Sequence, residues 1–148
     1  MQRAEDLLQI YAFENELTEE HIDILWEASQ TDESAKIEIF KMISDCTKDM
    51  QDEIVDVFIK KVQSVDPGII TMRDVDLVYN LGKNSFMRAA ARETAANTLW
   101  QIALLQKPGY PKAILKPTRK HLQNLMRNQD RDMKITVIKR CIELISNP

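Results

Sequence analysis

The 148 residues include only three glycines, two cysteines and two histidines, and aromatic side chains make up 6%. Each shortage excludes something. Glycine supplies the positive-φ turns of tight hairpins and the backbone of phosphate-cradling loops, and neither GxGxxG nor GxxxxGK[ST] occurs. Cys46 and Cys141 are too few for a disulfide framework and point to a reducing compartment. His21 and His121 lie far apart in the chain, outside any HExxH and away from a cysteine at ligand spacing. No apolar run approaches the roughly 18 residues of a membrane span, and the start MQRAEDLLQI lacks the basic flank and apolar block of a signal peptide. The expectation is an all-α cytoplasmic domain with no cofactor, no metal and no membrane partner.

What is present is charge, unevenly placed. The net charge is −3. Residues 1–66 carry six Lys/Arg against 17 Asp/Glu, whereas residues 107–148 carry ten against three. A domain with such unequal ends either has an electrostatic partner at one end or is a slice of something longer.

Helical periodicity runs through every segment. Residues 1–14 place Ala4, Leu7, Leu8 and Tyr11 at three- and four-residue steps. Thr18 reads as an N-cap, with Leu17 stapled against Ile22 and the face Ile22, Leu25, Trp26 turned inward. A third helix starts near Thr31 or Asp32 and presents Ile37, Phe40, Ile43 and Cys46; a fourth, about 51–64, presents Ile54, Val55, Phe58, Ile59 and Val62. VDPGI at 65–69 is a turn, and Thr71 caps a fifth helix carrying Val75, Leu77, Val78 and Leu81 to a stop at Gly82. Ser85 caps a sixth, whose Ala-rich first half allows a close neighbour and whose Leu99, Trp100, Ala103 and Leu104 supply bulk. Residues 107–117 hold three of the five prolines and read as a linker or lid. Pro117 then sits in the first turn of a seventh helix with Leu122, Leu125 and Met126 inward, and Asp130 caps an eighth with a stripe of Met133, Val137, Ile138, Cys141, Ile142 and Ile145.

Leu17-Thr18-x-x-x-Ile22-Asp23-Ile24-Leu25-Trp26 matches Ile70-Thr71-x-x-x-Val75-Asp76-Leu77-Val78-Tyr79 position for position. Together with the helix count, this echo predicts a right-handed α-α superhelix of stacked hairpins, armadillo- or HEAT-like, with about eight helices. Residues 1–148 then form a single helical-repeat domain, a fragment of a longer chain, whose second helices line the binding surface.

Chemistry-bearing constellations are sparse. Both cysteines fall on apolar stripes and read as buried thiols. Glu19, Glu20, Asp23 and Glu27 decorate a capped helix and read as a solvated face. Trp26 and Trp100 read as core, and the methionines as gap-fillers. Among the bases of the C-terminal third, Lys112, Lys116, Arg119, Lys120 and Arg127 form the candidate interaction surface. Aromatics are not interleaved with them as single-strand readers require, so protein partners and neighbouring repeats are favoured over nucleic acid.

The run LTEEHIDILWEASQ at 17–30, followed by an acidic spacer and IEIFKMISDCTKDM, resembles helical repeats in the long non-catalytic regions of very large ubiquitin-specific peptidases of the fat-facets type. TLWQIA at 98–103 and ITMRDVDLVYNL at 70–81 fit the same grammar. The resemblance implies an armadillo-like scaffold segment of a deubiquitinase that positions or recruits protein substrates. It implies no activity for the segment itself. The peptidases' Gly-Asn-Thr-Cys box is absent, since Cys46 follows Ser44-Asp45 and Cys141 follows Lys139-Arg140; the Gly-rich His box is absent too, His121 standing in Arg119-Lys120-His121-Leu122. The alternatives are a scaffold of unrelated parentage, a nucleic-acid-binding array using the basic end, and a small Cys-dependent enzyme.

Overall fold

A computed structural model of the chain describes residues 2–84, 89–103, 109–127 and, beyond these, 135, 138, 139, 141–143 and 145. Among them there is no strand. The helices are α1 (Gln2–Phe13), α2 (Glu19–Ser29), α3 (Glu33–Cys46), α4 (Asp52–Gln63), α5 (Met72–Asn84), α6 (Ala89–Ala103) and α7 (Leu115–Arg127), with 3-10 turns at Thr47–Asp49 and Lys112–Ile114. The described residues of the predicted eighth helix are also helical. Its Asp130 cap, the Ser85 cap of the sixth helix, and Leu104 lie outside the described residues.

The caps explain where the early helices begin. Thr18 Oγ1 accepts the His21 backbone N–H at 3.3 Å, and His21 Nδ1 accepts the Thr18 N–H at 3.2 Å. This is a reciprocal capping box in which an imidazole replaces the usual Glu or Gln. Asp32 accepts from the Ala35 N–H at 2.7 Å and starts α3. At α5 only the carboxylate half of such a box is made: Asp74 Oδ2 accepts from the Thr71 N–H at 3.0 Å and from its hydroxyl at 3.2 Å, while the Asp74 N–H donates to the Thr71 carbonyl at 3.1 Å.

Packing sorts the helices into two layers. One holds α1, α3, α5 and α7 and the other α2, α4 and α6, because helices two apart in sequence lie side by side. Consecutive pairs α2–α3, α4–α5 and α6–α7 close the hairpins across the layers. This is an all-α array of helices stacked as hairpins. Apolar side chains fill the space between layers: Ile54, Val55, Phe58, Ile59 and Val62 of α4 and Val75, Leu77, Val78 and Leu81 of α5 are all buried. Each such side chain contributes about 1.5–3 kcal/mol on leaving water. Polar ties run within layers instead. Asp23 pairs with Lys61 (α2–α4), Gln63 Nε2 donates to Thr98 Oγ1 at 2.8 Å (α4–α6), Arg73 pairs with Glu33, and Asn84 Nδ2 donates to the Ser44 carbonyl at 2.8 Å (both α5–α3).

Several expectations need correction. The echo at 17–26 and 70–79 joins α2 to α5, which belong to opposite layers, so it is not the repeat. Helices of one layer begin at Glu19 and Asp52, and of the other at Glu33 and Met72. What the two segments share is a threonine just before the helix whose N–H is accepted by a side chain three residues on, and an acid one turn inside it. Gly82 does not stop α5, which continues to Asn84. A Cβ at Gly82 would stand 2.7 Å from Ala95 Cβ and 3.3 Å from Leu125 Cδ1, so glycine there permits close approach of α6 and α7. Ala95 of α6 stands at this contact, and Ala91 and Ala96 of the same helix are buried too, consistent with an Ala-rich half that admits a close neighbour. On α1 the inward face is Leu8 and Ala12, while Leu7 and Tyr11 are exposed; Ile37 of α3 is also exposed. Trp100 is buried, but Trp26 is only half-buried, stacked on Phe40 with ring centroids 5.7 Å apart. Cys46 is a buried thiol; Cys141 is exposed, because its stripe has no covering layer among the described residues.

Candidate interaction surface

α7 offers the clearest asymmetry of the structure. Its inward side is built from Thr118, Leu122 and Leu125, with Ile114 of the preceding turn, all buried against α5 and α6. Thr118 is accommodated there because its hydroxyl donates to the Ile114 carbonyl at 2.6 Å. Pro117 occupies the first turn, where its missing N–H breaks no helical bond. With that side fixed, Lys116, Arg119 and Lys120 fall at three- and four-residue steps on the opposite side and are exposed. Lys112 is exposed in the 3-10 turn just before α7. Arg127 ends α7 seven residues beyond Lys120, so its backbone position continues the same stripe. On α7, Lys116, Arg119 and Lys120 thus share a side.

The same layer carries a second polar feature. His121 Nε2 lies 2.7 Å from Asp76 Oδ1, and its ring stacks on Tyr79 with centroids 4.1 Å apart and planes 12° from parallel. Lys83 Nζ stands 5.9 Å from the Tyr79 centroid. An open groove of about 340 Å³ lies alongside, between α3 and α5, with Lys41, Asp45, Arg73, Asp76 and Lys83 on its walls. Further along, Asp74 is buried, held by Thr71 and by Lys36 Nζ at 3.7 Å from Oδ1. These groups tie α3, α5 and α7 together. They present charge of both signs, and none is a nucleophile set beside a base.

His21 and His121 therefore have structural roles, one as a cap and one as a bridge between α5 and α7. A T-x-x-H step after an apolar residue is the signal that was available for the first; nothing in the sequence marks the second. Among the described residues no group of three or more His, Cys, Asp or Glu side chains converges as a metal site would, and no helix is long and apolar enough to cross a membrane. Glu19, Glu20, Asp23 and Glu27 are exposed, as expected of a solvated face. The fold and surface define a class, an all-α hairpin array with a basic helix face. Comparison with protein-family models finds no match, and neither the curated proteins nor the solved structures yield one.

Proposed function

We propose that the chain is a non-catalytic protein-interaction scaffold whose α7 stripe of Lys116, Arg119 and Lys120, extended by Lys112 and Arg127, docks an acidic segment of a protein partner. The observation that carries this is that the three α7 bases are exposed on one side of a helix whose other side is locked into the core, so their spacing is preset. A preset row of cations spares the partner part of the ordering cost of binding. Nucleic acid is the weaker reading, because Tyr79, whose ring packs on His121 of this helix, has that ring face covered and offers no open stacking platform there.

The parent protein on this reading is a large ubiquitin-specific peptidase, with the scaffold positioning or recruiting its substrates in the cytoplasm. That part rests on the resemblance carried by LTEEHIDILWEASQ and IEIFKMISDCTKDM, with TLWQIA and ITMRDVDLVYNL beside them. A Gly-Asn-Thr-Cys box and a Gly-rich His box elsewhere in the same reading frame would support it, and a complete frame without them would remove it.

The docking surface is tested by fluorescence polarisation with a labelled Glu/Asp-rich peptide and, in parallel, a single-stranded oligonucleotide, at about 50 and about 200 mM salt. The peptide is expected to bind, and the triple variant Lys116→Glu, Arg119→Glu, Lys120→Glu to lose it while keeping its helical circular dichroism. Oligonucleotide binding without peptide binding would replace this reading with the nucleic-acid one. Binding of the peptide unchanged in the triple variant would move the site elsewhere.

A further inference from the structure

Arg73 of α5 pairs with Glu33 of α3, and Asn84 of α5 donates to the Ser44 carbonyl of α3. Both ties join residues 40 apart in the chain, so the two helices run side by side in one register. Glu33 and Ser44 are separated by about 16 Å of helix, and no polar tie between α3 and α5 spans that stretch among the described residues except that of Asp74 with Lys36 near one end. The open groove of about 340 Å³ lies here. Phe40 and Leu77 are buried in its floor, and Ile37 stands beside them 42% exposed. An isoleucine in solvent next to two buried apolar residues makes a seat for one large apolar side chain from outside.

The charges around the seat select what brings that side chain. The groove walls carry Lys41, Arg73 and Lys83 against Asp45 and Asp76. Arg73 is matched by Glu33, and Asp76 by His121 of α7. Across α5, on the same outer side of the layer, α7 adds Lys116, Arg119 and Lys120, all exposed. With Arg73 set aside, the groove and the α7 stripe together present five bases against two acids, which favours an acidic occupant. We propose that the acidic partner segment docked on α7 carries one large apolar side chain, and that this side chain seats in the α3–α5 groove on Ile37, Phe40 and Leu77, with flanking carboxylates toward Lys41 and Lys83. The proposal rests on the α7 docking reading and adds its specificity: the cationic stripe attracts any acidic run, whereas the seat tells one such run from another. Neighbouring helix axes lie about 8–10 Å apart, which puts the midline of the groove about 12–15 Å from α7. At about 3.3 Å per extended residue, the apolar side chain stands about four residues from the acidic run.

Fluorescence polarisation at about 50 mM salt tests this with two labelled peptides. One is a Glu/Asp-rich run with a leucine about four residues from it, made with the leucine before and after the run; the other has asparagine in place of the leucine. The leucine peptide is expected to bind the parental chain about tenfold more tightly than the asparagine peptide. In Ile37→Asn that advantage is expected to vanish while the asparagine peptide binds as before, which also shows that the variant is folded; Ile37→Leu is expected to keep the advantage. The triple variant Lys116→Glu, Arg119→Glu, Lys120→Glu is expected to lose both peptides. Equal binding of the two peptides to the parental chain, lost in the triple variant, leaves docking on α7 standing and overturns the groove. A leucine advantage that survives in Ile37→Asn overturns it as well, since the side chain then seats elsewhere. Failure of both peptides to bind the parental chain removes the α7 reading and this proposal with it.

Discussion

The middle and the ends of this molecule use the same kind of residue differently. In α4, α5 and α6 nearly every large apolar side chain is buried, Phe58, Ile59, Leu77, Leu81, Leu99 and Ile102 among them. On α1 Leu7, Ile10 and Phe13 stand in solvent, and so do Ile135, Ile138, Ile142 and Ile145. Composition does not separate the two regions; neighbours do. A helix inside the two-layer array has a partner across the layer and one on each flank, whereas among the described residues α1 packs mainly on α3 and the Thr47–Asp49 turn. The difference is the physical signature of a repeat array, in which no helix can cover its apolar surface alone.

The sharpest way to break this comparison is a matched pair of truncations. Phe58→Ala in the middle should cost about 3–5 kcal/mol in urea unfolding and Phe13→Ala at the end less than about 0.5 kcal/mol. Similar values for both would mean that α1 is covered in solution. Trp26→Ala stands between them: its ring is half-buried on Phe40, and a loss of about 2–3 kcal/mol is expected, below that of a full core aromatic. Gly82→Ala tests how tight the middle is. Helix propensity alone predicts a gain of about 1 kcal/mol, but the contact with Ala95 should turn this into a loss of about 1–2 kcal/mol. Adding Ala95→Gly should restore most of that loss, and failure to do so would show that the strain lies against Leu125 instead.

The smallest effect concerns Tyr110, where the basic end meets the core. Burial raises its phenol above the ordinary tyrosine value. Below that ordinary value both folded and unfolded chains hold the proton and stability does not depend on it. Above it the unfolded chain loses the proton first, so stability falls as pH rises through the window between the two. Tyr110→Phe should flatten the alkaline end of the stability curve slightly, and an unchanged curve would show that the hydroxyl is as free as in solvent.

Much of the fold was legible. Thr18, Asp32 and Thr71 announced helix starts because capping is a matter of three or four adjacent residues. The inward faces of α4 and α5 followed from spacing, since each carries a single apolar side. The inward face of α1 was not legible, because a helix with apolar residues on two sides does not say which one has a neighbour. Gly82 misled for a related reason: glycine at a helix end and glycine at a close helix contact look alike until Ala95 and Leu125 are in place. The α7 bases were found by composition, but their common side became visible only once Thr118, Leu122 and Leu125 fixed the helix's rotation. His121 with Asp76 and Tyr79 joins residues from two helices, and no local pattern records it.

The sequence by itself determined that the chain is helical, where most helices begin, and that charge divides the two ends. These are consequences of backbone propensity, caps and composition, all set within a few residues. Tertiary structure alone decided the layering of helices two apart, the exposure of Cys141, and the failure of the α2–α5 echo to mark a repeat. Those depend on which surfaces meet, and apolar attraction has no direction of its own: it requires that each stripe be covered, and leaves the covering neighbour to shape and to the polar ties within each layer.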